Sequence, residues 1–397
     1  MKSTIFDNSA LVARKKLKAM SSDVEDQKSE FGLTKFHLTF TKAAVARLPG
    51  MSRAIVDKSV SEMESSGYSF AKKQSGGAEV YDLTVEQVID IYRHRGFKSW
   101  SDSHPEACVL FISSLKGGVS KTVSCVHIAQ ALRVHPNLIK EDLRVLVIDL
   151  DPQSSATMFL NSKYSMGAVD YTAAQAMLHD IDVEELKEHY VKPTIIPNVD
   201  VMVSSIADGF LASDWLTHCN EHFPDKNPNL LLKEHVINKL CGDYDFILID
   251  SGPHLDYFLN NSIAAADIMV TPLPPAQVDL HSTLQYVGRL PAIFNRLMDA
   301  GVAELPKHHV AFMSKFTRTP QDMESQAIAK EIFRAELLDA VIPNLSAFQR
   351  CGETFDTVIS VNPAAYAGDI KALKAAKEAI EDFAIALFNH INFVRNK

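Results

Sequence analysis

A glycine-rich segment at residues 115–122, LKGGVSKT, carries the residue types that hold the phosphates of a nucleotide. Gly117 and Gly118 allow backbone N–H groups to close around phosphate oxygens, and a helix N-terminus after the loop adds partial positive charge. Lys121 is spaced to reach the β- and γ-phosphates, and Thr122 offers a hydroxyl to Mg²⁺. The segment therefore predicts a site for ATP or ADP together with Mg²⁺.

The segment departs from the common phosphate-loop pattern, G-x-x-x-x-G-K-[ST], because Ser120 stands where the second glycine belongs. It fits the variant K-G-G-x-x-K-[ST], which has an additional lysine, Lys116, directly before the glycines. One lysine is enough to hold the phosphates, so Lys116 is free for a separate task. The nucleotide-binding residues predicted in this loop are Lys116, Gly117, Gly118, Val119, Ser120, Lys121, Thr122 and Val123.

Aspartates end two further apolar runs, RVLVIDLDPQSSAT and YDFILIDSGPHLD. Asp149 and Asp151 end the first run, and Asp250 ends the second. Because the carboxyl ends of parallel strands meet at the crevice where open α/β sheets bind ligands, we expect the three carboxylates to converge on the phosphate loop. Asp250 stands where an acidic residue anchors Mg²⁺, directly or through water. The metal ligands predicted from these positions are Thr122 and Asp250.

Apolar patterning indicates the elements that must position these residues. The run ACVLFISS, residues 107–114, is continuously apolar, which is typical of a strand buried on both faces of a sheet. The segment VSCVHIAQALRV after the loop has the composition of a helix, so strand, loop and helix follow in the order that a phosphate loop requires. The pattern predicts an α/β P-loop ATPase domain over residues 107–397, with a mostly parallel twisted sheet and helices on both faces.

Residues 1–34 are predicted to form a helical arm. The stretch 9–30 lacks Pro and Gly and is densely charged, with few apolar positions. These positions are Leu11, Val12, Leu17, Met20 and Val24. They are too sparse for the core of a separate domain but suit a narrow seam against a partner helix, which makes the arm a candidate for dimerisation. A solvated, partly frayed arm is equally compatible with the pattern.

Residues 35–100 have the element order of a winged helix-turn-helix. Thr41 and Ser52 suit the N-caps of two short helices separated by a Pro-Gly pair, and two strand-like runs around QSGG indicate a hairpin. A further helix is predicted over 84–96. The second helix would enter the major groove and the wing would meet the DNA backbone, whereas a small protein-binding helical domain is the alternative. The DNA-contacting residues predicted here are Ser52, Arg53, Lys58, Lys72 and Lys73.

Charge is unevenly distributed along the 397 residues, whose formal net charge is −9. The first 100 residues carry 16 Lys and Arg against 12 Asp and Glu, whereas the rest of the chain carries 24 against 37. A basic front and an acidic body suggest two separate tasks, and the local positive charge favours DNA as the partner of the front.

The composition indicates neither a secreted nor a membrane-spanning protein. No apolar run reaches the ~18 residues that span a bilayer, and the first residues lack the apolar core of a signal peptide. The five cysteines have no C-x-x-C spacing, so we expect reduced and mostly buried thiols, not a metal or iron–sulfur site. We therefore expect a cytoplasmic protein, with the polar residues 97–106 as a linker between two domains.

The motifs KGGVSKT, VLVIDLDPQSSAT, FILIDSGP and DIMVTPLPPA resemble those of the ParA family of DNA-partition ATPases, within the deviant-Walker group that also holds MinD. The likeness covers about residues 107–390, and the front is similar to that of the long plasmid- and phage-borne members. The resemblance implies a homodimer with weak, partner-stimulated, Mg²⁺-dependent ATP hydrolysis. It also implies binding to non-specific DNA of the nucleoid, stimulation by a ParB-like centromere-binding protein, and repression of the chain's own operon through an operator.

The same resemblance implies roles for individual residues. Lys116 would reach across the dimer to the partner's phosphates, Asp151 would position the attacking water, and Asp149 would support the Mg²⁺ shell. The catalytic set is then Lys116, Lys121 and Asp151. The residues expected around the adenine are Met313, Ser314, Pro343 and Phe348. The residues expected to contact non-specific DNA are Lys315 and Arg350.

Other functions stay open from the sequence. A MinD-like cell-division switch would bind membrane through a terminal amphipathic helix, and the last predicted helix has Ile380, Phe383, Leu387, Phe388 and Ile391 on one side. Acidic residues interrupt the polar face of that helix, so we predict that it packs against the ATPase core and that membrane is not a partner. A purely nucleotide-sensing transcriptional regulator would have the same two domains. A metal-carrier ATPase would need paired cysteines, which the sequence lacks.

Overall fold

The computed structural model describes residues 4–30, 35–165 and 169–395. Parts of the predicted N-terminal arm, residues 1–3 and 31–34, lie outside the described residues, as do the last two residues of the predicted ATPase domain. The described chain forms a long N-terminal helix, a small helical unit with a hairpin, and a large α/β unit built on one sheet.

The N-terminal helix, α1 (Thr4–Glu30), begins earlier than the stretch 9–30 that the sequence pattern indicates. Its apolar side chains Leu11, Leu17 and Met20 are all more than half exposed. A helix with so little buried surface gains stability mainly from whatever covers its apolar stripe. The role of the arm in dimerisation stays a prediction.

Two capped helices form the centre of the front unit. Helix α2 (Lys42–Val45) begins at Thr41 and helix α3 (Arg53–Ser65) begins at Ser52, and each cap side chain accepts a backbone N–H of the first turn. Gly50 in the turn between them has a φ of +74°, a conformation that favours glycine. Both N-caps predicted from the sequence are confirmed.

A hairpin and a further helix complete the front unit. Its short strands are β1 (Thr39–Phe40), β2 (Lys72–Ser75), β3 (Ala78–Tyr81) and β4 (Leu83–Thr84). Strands β2 and β3 pair antiparallel across Gly76-Gly77, and both glycines have positive φ, as a two-residue hairpin turn requires. Helix α4 (Val85–His94) follows, with a capping box at Thr84. Helix, turn, helix, hairpin and closing helix therefore match the predicted winged helix-turn-helix.

A seven-stranded sheet organises the large unit within the described residues. Its strand order is β11-β10-β5-β9-β6-β8-β7, and all neighbouring pairs are parallel except β7 with β8. The strands are β5 (Cys108–Ile112), β6 (Val145–Leu150), β7 (Val191–Pro193), β8 (Val199–Met202), β9 (Phe246–Ser251), β10 (Ile268–Leu273) and β11 (His308–Met313). The predicted mostly parallel sheet is confirmed.

Helices cover both faces of this sheet, and two hydrophobic clusters lie on its opposite sides. The helices of the large unit are α5 (Lys121–Val134), α6 (Ser155–Leu160), α7 (Ala173–Met177), α8 (Val183–Glu185), α9 (Asp208–Ser213), α10 (Trp215–His222), α11 (Asn238–Leu240), α12 (Tyr257–Ala265), α13 (Gln277–Asp299), α14 (Pro320–Phe333), α15 (Ser346–Gly352) and α16 (Ile370–Arg395). Burial on both faces explains why the central strands read as continuous apolar runs.

The stretch 97–106, which is predicted to be a linker, packs against the large unit through Trp100. Trp100 is 4% exposed, stacks on His104 with ring centroids 3.9 Å apart, and contacts Phe388 of α16. One buried tryptophan fixes the connection against the large unit, because the burial of so much apolar surface outweighs the polar residues around it. Sequence composition could not indicate this contact, since Phe388 lies almost 290 residues further along the chain.

The C-terminal helix α16 packs on the large unit, as predicted. Ile380, Phe383, Leu387 and Ile391 are fully buried, and Phe383 contacts Phe312 of β11 with ring centroids 4.5 Å apart. The apolar side of the helix is therefore occupied by the protein's own core. None of the helices in the described ranges combines the length and the apolar character that crossing a bilayer requires.

Candidate nucleotide site and DNA-binding surface

The phosphate loop connects β5 to α5 at the carboxyl edge of the sheet. Gly118 and Ser120 both have a φ of +76°, so the loop bends twice through the left-handed region before the helix begins at Lys121. At Ser120 a non-glycine residue occupies this conformation, where the common pattern has glycine. The loop ends at the N-terminus of α5, an arrangement that is typical of phosphate-binding loops.

Lys121 and Asp250 provide the charges of the site. The Lys121 side chain is 7% exposed and its Nζ donates to the Lys116 carbonyl at 3.2 Å. Burial lowers the pKa of Lys121, while Asp250 and Asp151 act in the opposite direction. A buried ammonium that donates to a backbone carbonyl can bind a multiply charged anion such as a phosphate group.

Asp250 is fully buried at the end of β9, and within the described residues its carboxylate oxygens make no hydrogen bond of normal length and angle, although the Thr122 hydroxyl lies close enough to favour the charged form. Burial raises its pKa to about 7, against Thr122 and Lys121, which lower it. A buried carboxylate without such a hydrogen bond is costly unless a ligand satisfies it. With the Thr122 hydroxyl beside it, it forms the hard oxygen set that Mg²⁺ prefers, so these residues fit the metal that the loop implies.

Asp149 has a different environment from Asp250, although the two are register neighbours on β6 and β9. Its Oδ2 accepts the backbone N–H and the hydroxyl of Thr157 at 2.8 and 2.7 Å, and its Oδ1 accepts the Asp151 N–H at 3.0 Å. Burial raises its pKa well above the usual range, with Asp250 adding to the effect. Asp149 therefore anchors the start of α6 and the position of Asp151. Because both of its oxygens accept these hydrogen bonds, Asp149 would support the metal indirectly.

Asp151 lies half-buried at the start of the loop after β6. Its Oδ1 accepts the Gln153 N–H at 2.9 Å, and a Cβ placed on Gly252 would lie 3.4 Å from the same oxygen and 3.1 Å from His254. The absence of a side chain at Gly252 keeps this approach open. The carboxylate thus lies next to Gly252, where a larger residue would crowd the His254 ring.

Lys116 forms an ion pair with Asp279, a residue outside the motifs that predict the nucleotide site. Its Nζ lies 3.6 Å from Oδ1 of Asp279 in the first turn of α13, and its side chain is partly exposed. This long, solvent-accessible ion pair is weak, so the lysine can leave it for a phosphate. The only sequence signal for Asp279 is its place just after the motif DIMVTPLPPA.

The end of β11 contacts the phosphate loop, and the structure assigns its residues differently from the sequence. Ser314 Oγ donates to the Val119 carbonyl at 3.1 Å, and Lys315 Nζ donates to the Gly118 carbonyl at 2.5 Å. Lys315, predicted to contact DNA, thus binds the nucleotide loop in this structure. Met313, predicted beside the adenine, has no exposed surface and packs in a cluster with Phe316, so its side chain offers no face to a base.

The other two residues expected at the adenine, Pro343 and Phe348, have different neighbours. Pro343 bridges to Phe316 and lines a cavity of about 530 Å³ together with residues of α16. Phe348 of α15 makes an edge-to-face contact with His127 of α5, at 5.3 Å between ring centroids.

The candidate DNA-reading residues are distributed between helix α3 and the wing. The Arg53 and Lys58 side chains are 91% and 66% exposed, each near an acidic residue one turn further on at 3.8 and 3.7 Å. Ser52 is occupied as the N-cap of α3. The wing lysines are more constrained, because Lys72 lies near Glu64 and Glu79, and Lys73 pairs with Asp82 at 2.7 Å.

Arg350, the second residue predicted to contact non-specific DNA, is exposed on α15 and pairs with Glu353 at 2.9 Å. Exposed pairs of this kind contribute little stability, so the guanidinium can exchange its partner for a phosphate.

Two family models match the chain: the ParA helix turn helix domain over residues 13–104 and an AAA domain over residues 107–298. With the parallel sheet and its phosphate loop, these matches define the class of protein, a P-loop ATPase with an N-terminal helix-turn-helix DNA-binding domain. Plasmid partition protein A of Escherichia coli is 52% identical over 97% of this chain and 96% of its own length. The chain therefore belongs to the ParA family of plasmid partition ATPases.

Further comparisons agree with this membership. Protein SopA of Escherichia coli K12 is 31% identical over about half of each chain. A solved structure described as a partition protein superposes with a TM-score of 0.80 at 42% identity, covering 99% of this chain and 98% of that one. Cobyrinic acid a,c-diamide synthase from Mycobacterium smegmatis, with bound ADP and magnesium, has a TM-score of 0.51 at 20% identity over 72% of this chain and 96% of that one, and so shares the fold.

Proposed function

We propose that this chain segregates a plasmid through ATP-controlled DNA binding and represses its own operon through the winged helix. ATP assembles a homodimer that binds non-specific DNA of the nucleoid in the cytoplasm, and a ParB-like protein at the centromere stimulates slow hydrolysis. The observation that carries the proposal is the buried Asp250 carboxylate, which lies beside Thr122 and Lys121 without a hydrogen bond of normal geometry, in a chain of the ParA family with a helix-turn-helix domain.

The residues at the loop divide the work of hydrolysis. Lys121 and the loop N–H groups bind the phosphates, while Thr122 and Asp250 hold Mg²⁺, with Asp149 behind them. The metal supplies positive charge to the phosphate oxygens when it is bound. Asp151 orients the attacking water and accepts its hydrogen bond, because its carboxylate lies close enough to Lys121 to oppose the effect of burial on the pKa of that lysine.

A second copy of this chain is the partner that the exposed surface around the site favours. The segments that follow the parallel strands β8, β9 and β10 present Ile206, Leu255 and Val278, each at least 70% exposed. Apolar side chains this exposed at the rim of a charged site are typical of an interface. Lys116, released from Asp279, then reaches the partner's phosphates, which makes the dimer depend on ATP.

DNA binding has two forms in this proposal. Arg53 and Lys58 of α3 read the operator with support from the wing, and the twofold symmetry of the dimer favours a palindromic site. Non-specific binding uses phosphate contacts by Arg350 and by Lys315 once Lys315 leaves the loop carbonyl. The contact between Lys315 and Gly118 supports a dependence of this second form on the nucleotide.

The test is binding of the full chain to two DNAs at fixed salt, the protein's own upstream region and a random sequence, without nucleotide, with ADP and with ATP. We expect the upstream DNA to be preferred in one nucleotide state and random DNA to bind only with ATP. A plasmid-loss assay run in parallel separates partition from regulation. Absence of binding to either DNA in every state would contradict the DNA-reading role. If removal of the protein relieved repression but did not increase plasmid loss, the protein would be a nucleotide-sensing regulator and not a partition ATPase.

A further inference from the structure

Three metal-ligating side chains lie together in the last turn of α10, outside the nucleotide site. His218, Glu221 and His222 each offer one ligand atom, and these atoms all lie within 4.8 Å of one another. His218 is partly buried, and the other two are exposed. Neither ATP hydrolysis nor DNA binding, as proposed above, uses any of these residues.

We propose that this cluster binds one divalent transition-metal ion of the zinc class, with two imidazoles and one carboxylate as the protein ligands. Residues three and four apart on a helix lie on one face one turn apart, so His218 and His222 can chelate the same ion with Glu221 beside them. Zinc ligands lie about 2.0–2.2 Å from the metal, so tetrahedral ligand atoms are about 3.4 Å apart. Small side-chain rotations of exposed residues close the remaining gap.

The donor set selects the kind of ion. Imidazole suits Zn²⁺, Cu²⁺ and Ni²⁺, whereas Mg²⁺ prefers oxygen ligands in an octahedral arrangement. Two histidines with one carboxylate leave a fourth position open in a tetrahedral site, and water completes it. The cluster is therefore chemically distinct from the Thr122 and Asp250 oxygens, and Mg²⁺ does not compete for it.

The position of the cluster also favours a cation. All three ligands lie at the carboxyl end of α10 (Trp215–His222), where unpaired backbone carbonyls carry partial negative charge. The helix is anchored from its other side, because Trp215 and Cys219 are buried and the Trp215 indole donates to the Pro228 carbonyl at 2.8 Å. The last turn is thus presented on a fixed helix, which reduces the entropy lost when the ion binds.

The test is titration of tag-free, full-length protein with Zn²⁺ against a chromophoric chelator, with saturating Mg²⁺ present to occupy oxygen sites. We expect one ion per chain, and a weakening of about tenfold or more, the loss of a contact of about 1.4 kcal/mol, in His218→Ala and in His222→Ala. Glu221→Gln should weaken binding less. His281→Ala, an exposed histidine outside the cluster, is the matched control and should bind as the unchanged protein does.

Ligand identity is tested independently by the visible spectrum of the Co²⁺-loaded protein. Nitrogen and oxygen ligands give d–d bands without the thiolate charge-transfer band that any of the five cysteines would add. Zn²⁺ should also raise the melting temperature with increasing concentration, since the ion binds the folded helix. Unchanged Zn²⁺ affinity in the His218→Ala and His222→Ala double variant, or a thiolate band, would overturn the proposal.

Discussion

At the residue scale, chemically identical aspartates differ because their hydrogen-bond partners differ. Asp149 is satisfied by Thr157 and by the Asp151 N–H, whereas Asp250 makes no hydrogen bond of normal geometry within the described residues. Both carboxyls are buried, and burial raises the pKa of each. Asp149 thus holds the start of α6 and the Asp151 backbone in place, whereas the Asp250 carboxylate remains available to a ligand.

The division of roles predicts separable losses. Lys121→Ala should abolish nucleotide binding, because it removes the buried ammonium that meets the phosphates. Asp151→Ala should leave ATP binding intact and reduce hydrolysis by about a hundredfold or more, as expected for loss of a group that orients the nucleophile. Binding of a fluorescent ATP analogue and release of phosphate measure the two effects. Hydrolysis at the unchanged rate in Asp151→Ala would show that our assignment of the water-positioning residue is wrong.

At the scale of elements, helix α5 connects the nucleotide site to the front unit. It begins at Lys121 and ends beside Arg133, whose fully buried guanidinium donates to Asp142 at 2.7 Å and to the Pro197 carbonyl at 3.1 Å. Asp142 also accepts a hydrogen bond from Arg93 of α4. One carboxylate therefore joins the phosphate-loop helix to the helix that closes the winged unit.

This junction predicts unequal effects for its members. Asp142→Ala leaves the buried Arg133 with a longer ion pair to Glu86, at 3.9 Å, and should lower the free energy of unfolding by about 3–5 kcal/mol. Arg93→Ala removes a side chain that is 62% exposed and should lower it by about 1 kcal/mol or less. Urea unfolding measures both, and equal losses in the two variants would contradict the central place of Asp142.

His127, in the middle of α5, predicts a loss of stability in acid. Its Nδ1–H donates to the Val123 carbonyl and its Nε2 accepts the Val358 N–H, so the buried ring is neutral. Burial lowers its pKa to about 4, whereas histidine in an unfolded chain titrates near 6.5. Between these values the unfolded chain binds more protons than the folded protein. The contribution of neutral His127 to the free energy of unfolding is therefore complete above about pH 6.5, and about 3 kcal/mol of it is lost as the pH falls from about 6.5 to about 4.

The measurement is the free energy of unfolding in urea from pH 7.5 to pH 4, values chosen to bracket about 6.5 and 4. His127→Gln should flatten the pH dependence, while His281→Ala, which removes an exposed ring, should not. Part of the slope should persist in His127→Gln, because burial also lowers the pKa of His309 to about 4. Parallel pH profiles for the unchanged protein and His127→Gln would contradict this account.

At the scale of the whole molecule, the two lysines of the phosphate loop predict different dependences on assembly. Lys116→Ala should retain ADP binding, because Lys121 and the loop remain, but should abolish the ATP-dependent dimer. Lys374→Ala, a lysine 77% exposed on α16, is the control and should dimerise normally. Calorimetry with ADP and analytical ultracentrifugation with ATP provide the two measurements. A normal ATP-dependent dimer of Lys116→Ala would refute its contact with the partner's phosphates.

The amino-acid sequence by itself determined the parts that depend on neighbours in the chain. N-caps at Thr41 and Ser52, the Gly-Gly hairpin, the phosphate loop before α5 and the aspartates at strand ends all follow from local geometry and from continuous apolar runs. Parallel strands bring their carboxyl ends to one edge, so even the convergence of Asp149 and Asp250 could be predicted without knowing the strand order.

Only the tertiary structure decided contacts between residues far apart in sequence. It placed Lys315 on the Gly118 carbonyl, buried Met313, paired Lys116 with Asp279 and fixed Trp100 against Phe388. The type of a side chain limits what it can bind, but packing decides which partner lies within reach. A lysine that could meet DNA, a carboxylate or a carbonyl therefore has a role that its sequence position alone leaves open.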